Sequence, residues 1–247
     1  SLVGSEMCIR DRLCNGMDIQ SCFKKANEID DYIDAHFDYA FDEKYGYKTT
    51  YPTNTGTGMK AGYTLHLPSL SDARRLNDIS AELGRFGLKF RTVYGDGQNG
   101  YGNLYQISTQ KTLGQDEREV IKDLDDIVLQ IVNQEKEQRE HFYKKDKIQM
   151  DDEIYKSYGV LKYARKLSLK DSMVLISELM TGVSLGVLQF AHNGRYNINE
   201  LIMDIQPAVL RQNSGKAMSV AETDVLRAEY IRKYLPEIVR LFQGDIF

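Results

Sequence analysis

The sequence predicts a lobe of mixed helices and strands, α+β or α/β, followed by an all-helical lobe. Three observations lead there. Between residues 59 and 109, short alternating segments are separated by a helical segment and by glycine-rich loops. The character changes at residue 115, and from about residue 151 onward only helical periods appear. The last mixed segment and the first purely helical one meet near residue 147, which gives lobes over 13–147 and 148–247.

Each element has its own signal. Ile19, Phe23, Ala26, Ile29, Ile33, Phe37, Ala40 and Phe41 recur at three or four residues and predict a helix over 18–41, closed by Gly46. Residues 49–58, TTYPTNTGTG, are loop formers. Residues 59–67 alternate as a strand. Pro68 opens a helix, with Ser69 and Ser71 as candidate caps and Leu76, Ile79 and Leu83 on its apolar face. Residues 88–94 and 103–109 read as strands around a glycine loop, GDGQNGYG. Val120, Leu124, Ile127, Val128, Ile131 and Val132 mark a long helix whose charged end, 134–147, reads as solvated. Later helices are expected to break near Gly159, Gly182, residues 193–197, Pro207 and residues 213–215. The last is to run over 221–242 from a capping box at Ser219 and Glu222.

Composition narrows the function classes. Hydrophobic residues at 42% and charged residues at 28% fit an ordinary soluble protein of one or two domains. A net charge of −4 argues against a general nucleic-acid binder. No apolar run is long enough to span a membrane. Cys8, Cys14 and Cys22 form no CxxC pair, and three scattered cysteines fit a reducing cytoplasm better than a disulfide scaffold or a zinc site. Residues 1–12, SLVGSEMCIRDR, resemble a translated sequencing adapter and are left out of the functional reading.

Three segments could carry chemistry: YPTNTGTGMK over 51–60, RTVYGDG over 91–97, and YQIS over 105–108 leading to Leu113-Gly114. A glycine loop brings backbone N–H groups close to an anion, and a nearby Lys or Arg neutralises phosphate charge. Any one of these loops is more simply a strand connection. None matches the GxxxxGK[ST] phosphate loop.

Taken in order, the three segments resemble the catalytic lobe of ATP:guanido phosphotransferases, whose pattern is a CPTNxGTG-type loop followed by an arginine, then a strand arginine entering a Gly-Glu-Gly-type loop, then QIS and LG. The resemblance extends over about 13–242. It implies an α+β catalytic lobe with a mixed or antiparallel sheet flanked by helices, then an all-helical regulatory and dimerisation domain. The helical tail, with Thr223-Asp224-Val225-Leu226-Arg227-Ala228, resembles the family's protein-arginine kinase branch and its RDxxRA motif.

What the resemblance implies is specific. ATP is the phosphoryl donor, with Mg²⁺, and arginine side chains of proteins are the acceptors. Lys60, Ala61, Gly62, Tyr63 and Thr64, with Arg91, Thr92, Val93, Tyr94, Gly95 and Asp96, would line the nucleotide. Tyr51 and Asp96 hold the catalytic positions beside the guanidinium. Asp224 and Arg227 hold phosphoarginine-binding and allosteric positions, although residues one helical turn apart also suit a plain ion pair. A homodimer, a zinc-binding activator protein, Clp-type protease machinery, a role in stress-response proteolysis and a cytoplasmic location follow from the same resemblance. No metal is held by the protein itself.

The chain departs from the pattern at four places. Tyr51 replaces a cysteine, Lys60 an arginine, Asp96 a glutamate and Thr223 an arginine. Lysine lacks the bidentate fork, and the shorter aspartate displaces its carboxylate. The family's further catalytic residues lie N-terminal to the matched part, so this chain alone is expected not to catalyse transfer. The alternatives are a non-catalytic module binding nucleotide or phosphoarginine, and a kinase for small guanidino compounds. His66, between two leucines on a strand, reads as a packed histidine, and Tyr101 as either a substrate cover or an exposed loop aromatic.

Overall fold

A computed structural model describes residues 12–14, 16–49, 54–95, 100–110, 112–114, 116–191 and 198–239. Tyr51, Asp96, His192 and all but the last residue of the adapter-like segment lie outside the described residues. The chain divides into two compact units. One, the sheet unit, draws on residues up to Leu65, on Arg74–Arg91 and on Tyr105–Gln134; the other, the helical unit, on His66–Ala73, Thr92–Leu104 and the chain from Glu135.

The sheet unit begins with α1 (Ile19–Asp34), whose N-cap Asp18 accepts from the Ser21 N–H. The helix ends seven residues before the predicted boundary at Phe41. Phe41 instead starts a short hairpin of β1 (Phe41–Asp42) and β2 (Gly46–Tyr47), paired antiparallel with Phe41 opposite Tyr47. Gly46 therefore sits in a strand, at φ 74°, rather than closing a helix.

The larger sheet has the order β3-β5-β4, from β3 (Gly62–His66), β4 (Leu88–Thr92) and β5 (Leu104–Thr109). Its hydrogen bonds fix the register. Thr109 N–H donates to Ala61 O and Leu67 N–H to Asn103 O on one side of β5; Gln110 N–H donates to Gly87 O and Val93 N–H to Leu104 O on the other. Both pairings are antiparallel. The α+β reading with an antiparallel sheet and a helical C-terminal region is what the structure has. Tyr63, Leu65, Leu88, Tyr105 and Ile107 are buried, and Phe90 stacks on Tyr105 at 5.2 Å. Ile79 and Leu83 of α3 (Leu76–Arg85) are buried too.

The helix predicted from Pro68 is two helices. α2 (Pro68–Asp72) stops short, and Arg74 takes a left-handed φ of 56° before α3 begins. Neither serine caps α2; Glu135 does, as described below.

α4 (Glu117–Lys145) buries Ile121, Leu124, Val128 and Ile131, and the same stripe continues through Glu135 and Arg139, which are 2% and 9% exposed. The charged end is therefore not simply solvated. The helical period continues inward while the chemistry of the stripe changes from apolar to ionic.

In the helical unit, α5 (Lys147–Tyr163), α6 (Leu169–Ser184), α7 (Ile198–Asp204), α8 (Pro207–Ser214) and α9 (Val220–Tyr234) surround a core that includes Ile154, Leu161, Ile176, Leu179, Leu201 and Ile231. Gly159 and Gly182 lie inside helices rather than between them. A Cβ on Gly182 would come within 2.6 Å of Ile154 Cγ2, so this glycine permits close approach of α5 and α6. The breaks at Pro207 and Gly215 are present, the latter with a left-handed φ of 65°. The capping box forms as expected, with Ser219 N–H donating to Glu222 Oε2 at 2.8 Å, but α9 ends at Tyr234 rather than 242.

Cys14 and Cys22 pair as a disulfide, with Cα atoms 6.0 Å apart. The cysteine pattern favoured a reducing compartment over a disulfide scaffold, and this one pairing departs from that expectation. Gly16, at φ 76°, turns the chain so that Cys14 comes back over the first turn of α1. Among the described residues no helix is long and apolar enough to cross a membrane.

Candidate anion-binding sheet face

Strand alternation sorts the predicted site residues onto two faces. Ala61 and Tyr63 are buried. The Tyr63 hydroxyl donates to Asp125, and burial together with that carboxylate pushes the phenol above its ordinary range. Ala61, just before β3, and Tyr63 within it can therefore offer a ligand only backbone.

Lys60, Gly62 and Thr64 are exposed on the opposite face. The register places Gly62 opposite Ser108 and Thr64 opposite Gln106, with Lys89 and Arg91 of β4 beyond them on the same face. Gly62 is there because its backbone lies close to β5. An added Cβ would stand 2.6 Å from Ile107 O and 3.1 Å from Ser108 Cβ. The middle of the face is thus lined by glycine, serine and threonine, with cations at both sides.

Lys60, Lys89 and Arg91 are exposed and make no ion pair among the described residues. Arg91 is ordered by one bond, Nε donating to Gln106 Oε1 at 2.7 Å. Lys89 is absent from the expected site, and Gln106 enters the expectation only as part of the YQIS segment, without a role of its own. Period-two alternation from Arg91 would have found Lys89, and the cross-strand pairing that finds Gln106 is not written in any local pattern.

The loop ahead of Lys60 is held by backbone. Tyr47 N–H donates to Gly56 O at 2.8 Å and Thr57 N–H to Thr112 O at 2.9 Å. Thr112 Oγ1 donates to Thr55 O at 2.7 Å. Beside this loop is an open cavity of about 320 Å³, lined by Phe41, Tyr45, Tyr47, Gly56, Thr112 and Glu117 among others. None of its lining residues belongs to the cationic face. Burial, and then Asp116 and Asp30, raise the Glu117 carboxyl above its usual range.

Thr92, Val93, Tyr94 and Gly95 belong to the helical unit. Tyr94 stacks with Tyr101 at 6.4 Å, and both rings pack against the helical core, so Tyr101 is not simply an exposed loop aromatic. His66 Nε2 lies 2.8 Å from Ser177 Oγ, and burial, then the Arg139 charge, lower its pKa to about 3. It is a packed histidine. In the tail, Arg227 is 1% exposed and donates to Ile205 O, Leu167 O and Asp224 Oδ1 at 3.0, 2.9 and 2.6 Å. Thr223 is buried, donating to Ser219 O at 2.8 Å. Asp224 and Arg227 thus form the intrahelical ion pair, with no donor of Arg227 standing in solvent.

Fold and face together define an α+β protein with a cationic sheet surface built around one close-packed glycine. Residues 11–138 match the model of the ATP:guanido phosphotransferase C-terminal catalytic domain, and residues 147–241 that of the protein-arginine kinase McsB C-terminal domain. The chain belongs to the ATP:guanido phosphotransferase family. It is 39% identical over 220 residues to the protein-arginine kinase of Bacillus subtilis (strain 168), covering 89% of this chain and 60% of that one. It is 39% identical over 223 residues to the protein-arginine kinase of Clostridium kluyveri (strain ATCC 8527), covering 90% and 64%. The chain therefore spans less than two thirds of these relatives' lengths. Among solved structures, lombricine kinase aligns over 48% of this chain and 33% of its own, at 25% identity and a TM-score of 0.41.

Proposed function

We propose that the protein carrying this chain transfers the γ-phosphoryl group of ATP to arginine side chains of proteins, and that residues 13–147 supply part of its catalytic domain and 148–247 a helical regulatory and dimerisation domain. The observation that carries the reading is the face bearing Lys60, Lys89 and Arg91, three cations without carboxylate partners among the described residues. Relatives named protein-arginine kinase support the acceptor, and the match of 147–241 to that branch's C-terminal domain favours protein arginine over a small guanidino compound.

The chemistry accounts for these residue types. A guanidinium is protonated at neutral pH and so a poor nucleophile. In transfer, one of its nitrogens bonds to the γ-phosphorus as the bond to the β–γ bridging oxygen breaks. ADP leaves, and the guanidinium proton passes to a carboxylate, the role that family resemblance gives Asp96. Phosphoryl transfer depends mainly on position and charge. Lys60, Lys89 and Arg91 would hold the polyphosphate, while Gly62 and Thr64 leave room for it. Mg²⁺ would supply charge neutralisation on the phosphate oxygens. Mg²⁺ binds phosphate oxygens together with only one or two carboxylates in nucleotide sites. On this reading the partners are protein substrates bearing arginine, a second copy of the chain, a zinc-binding activator and Clp-type protease machinery.

A second reading, a non-catalytic module binding nucleotide or phosphoarginine, is favoured by Tyr51, Lys60, Asp96 and Thr223, which replace the family's cysteine, arginine, glutamate and arginine. One experiment separates them. The whole protein is incubated with Mg-ATP and an unfolded protein, beside its Tyr51→Cys variant, and acid-labile phosphoarginine is sought by mass spectrometry. Phosphoarginine from the unaltered protein supports the kinase. ATP bound with no phosphoarginine from either protein establishes the non-catalytic module.

A further inference from the structure

We infer that Gln106 is a positioning residue: its side-chain carbonyl holds Arg91 by Nε, so that the two terminal nitrogens of the guanidinium are left for the oxygens of a nucleotide polyphosphate. The inference rests on the proposal that this face seats a nucleotide.

The geometry is specific. Arg91 and Gln106 are cross-strand neighbours on β4 and β5, and the Nε–Oε1 distance is 2.7 Å. A guanidinium has only donors, so the amide must present its oxygen. Using Nε as the anchor leaves both terminal nitrogens, with four N–H groups, for planar bidentate contact with phosphate. An exposed arginine otherwise samples many rotamers, and ordering it is a cost charged to every ligand it binds. Gln106 fixes that side chain before the ligand arrives.

The neutrality of the amide also matters. A carboxylate at 106 would hold Arg91 more tightly, but it would cancel the charge that phosphate needs and add repulsion. Gln106 orients the cation while leaving its charge intact. Lys89 and Lys60, by contrast, are point charges with no such anchor among the described residues.

The test is a double-mutant cycle on ATP affinity, read by calorimetric titration of the whole protein that carries this chain, with adenosine as the phosphate-free control. Gln106→Leu is expected to weaken ATP binding by about three- to tenfold and adenosine binding not at all. Arg91→Lys removes Nε and the fork while keeping a cation. In that background Gln106→Leu should have no further effect. Gln106→Glu should weaken ATP binding in a salt-dependent way, which loss of a sheet contact alone would not produce. Equal losses for Gln106→Leu in both backgrounds, or equal losses for ATP and adenosine, overturn the inference while leaving the nucleotide site standing. If the whole protein binds no ATP, or if Arg91→Ala and Lys60→Ala both leave its affinity unchanged, the nucleotide reading itself fails and the inference with it.

Discussion

Glu135 and Arg139 form a buried ion pair one turn apart on α4, Nη2 to Oε1 at 2.9 Å, with side chains 3% and 11% exposed. The glutamate is used twice. Its two oxygens also accept from the Ser69 and Leu70 N–H groups at 3.1 and 2.9 Å, closing the N-terminus of α2, where Pro68 has no N–H to offer.

Glu135→Ala should therefore cost far more than a surface charge. It strands a buried guanidinium and two helix N–H groups, roughly 3–5 kcal/mol. Urea unfolding measures it. Replacing both Glu135 and Arg139 by leucine should recover part of the loss, because no unpaired charge remains. A double variant worse than Glu135→Ala would contradict the pairing.

His66 makes stability depend on pH. Its pKa is held near 3 in the fold, chiefly by burial and then by Arg139, against an ordinary 6.5. The unfolded chain takes a proton as the pH falls through about 6.5, while the folded chain does not. The contribution is thus complete above 6.5 and declines toward 3, by about 1.4 kcal/mol per pH unit. Asp72 and Glu178 have carboxyls raised first by burial and then by neighbouring carboxylates, and they act in the opposite sense. The difference between the natural chain and His66→Gln isolates the histidine. The variant should show the shallower fall between pH 6.5 and 4, and parallel curves would refute the argument.

Arg227 joins three parts of the helical unit through two backbone carbonyls and Asp224. Arg227→Ala should lower the melting transition of that unit by the equivalent of about 3–5 kcal/mol. Arg227→Lys should recover only part, since lysine cannot reach three acceptors from a planar fork. An unchanged Tm would show that these bonds are not structural.

On the cationic face, Lys89→Ala should weaken ATP binding by about three- to tenfold, more strongly at low salt. Lys60→Arg should strengthen it, by restoring bidentate contact. Titration at two salt concentrations reads both effects, and a loss at Lys89 that ignores salt would rule out a charge contact.

Much of the fold was legible because its signals are local. Alternation found β3, β4 and β5, and the Ser219–Glu222 pair marked the start of α9. The misreadings came where distant chain decides. Phe41 continues a helical spacing on paper but pairs with Tyr47 across a hairpin. The 134–147 run looks solvated until α2 supplies N–H groups for Glu135. At the site, the resemblance named two continuous runs, 60–64 and 91–96, and the YQIS segment; only burial separates Lys60, Gly62, Thr64 and Arg91 from Ala61 and Tyr63, and only strand register pairs Gln106 with Arg91. The tail motif was legible as either a ligand site or an ion pair, and the structure shows the pair, Arg227 buried beside Asp224.

The loop before Lys60 sets what can change in this protein. A side chain at Gly46 would meet Gly56 O at 2.5 Å, and one at Gly56 would meet the carbonyl of Thr112. Neither position can grow without prying the loop from its moorings. Position 60 is open to solvent, so one cation can be exchanged for another there without disturbing the scaffold. Divergence in such a protein can tune the strength with which an anion is held while leaving untouched the frame that presents it.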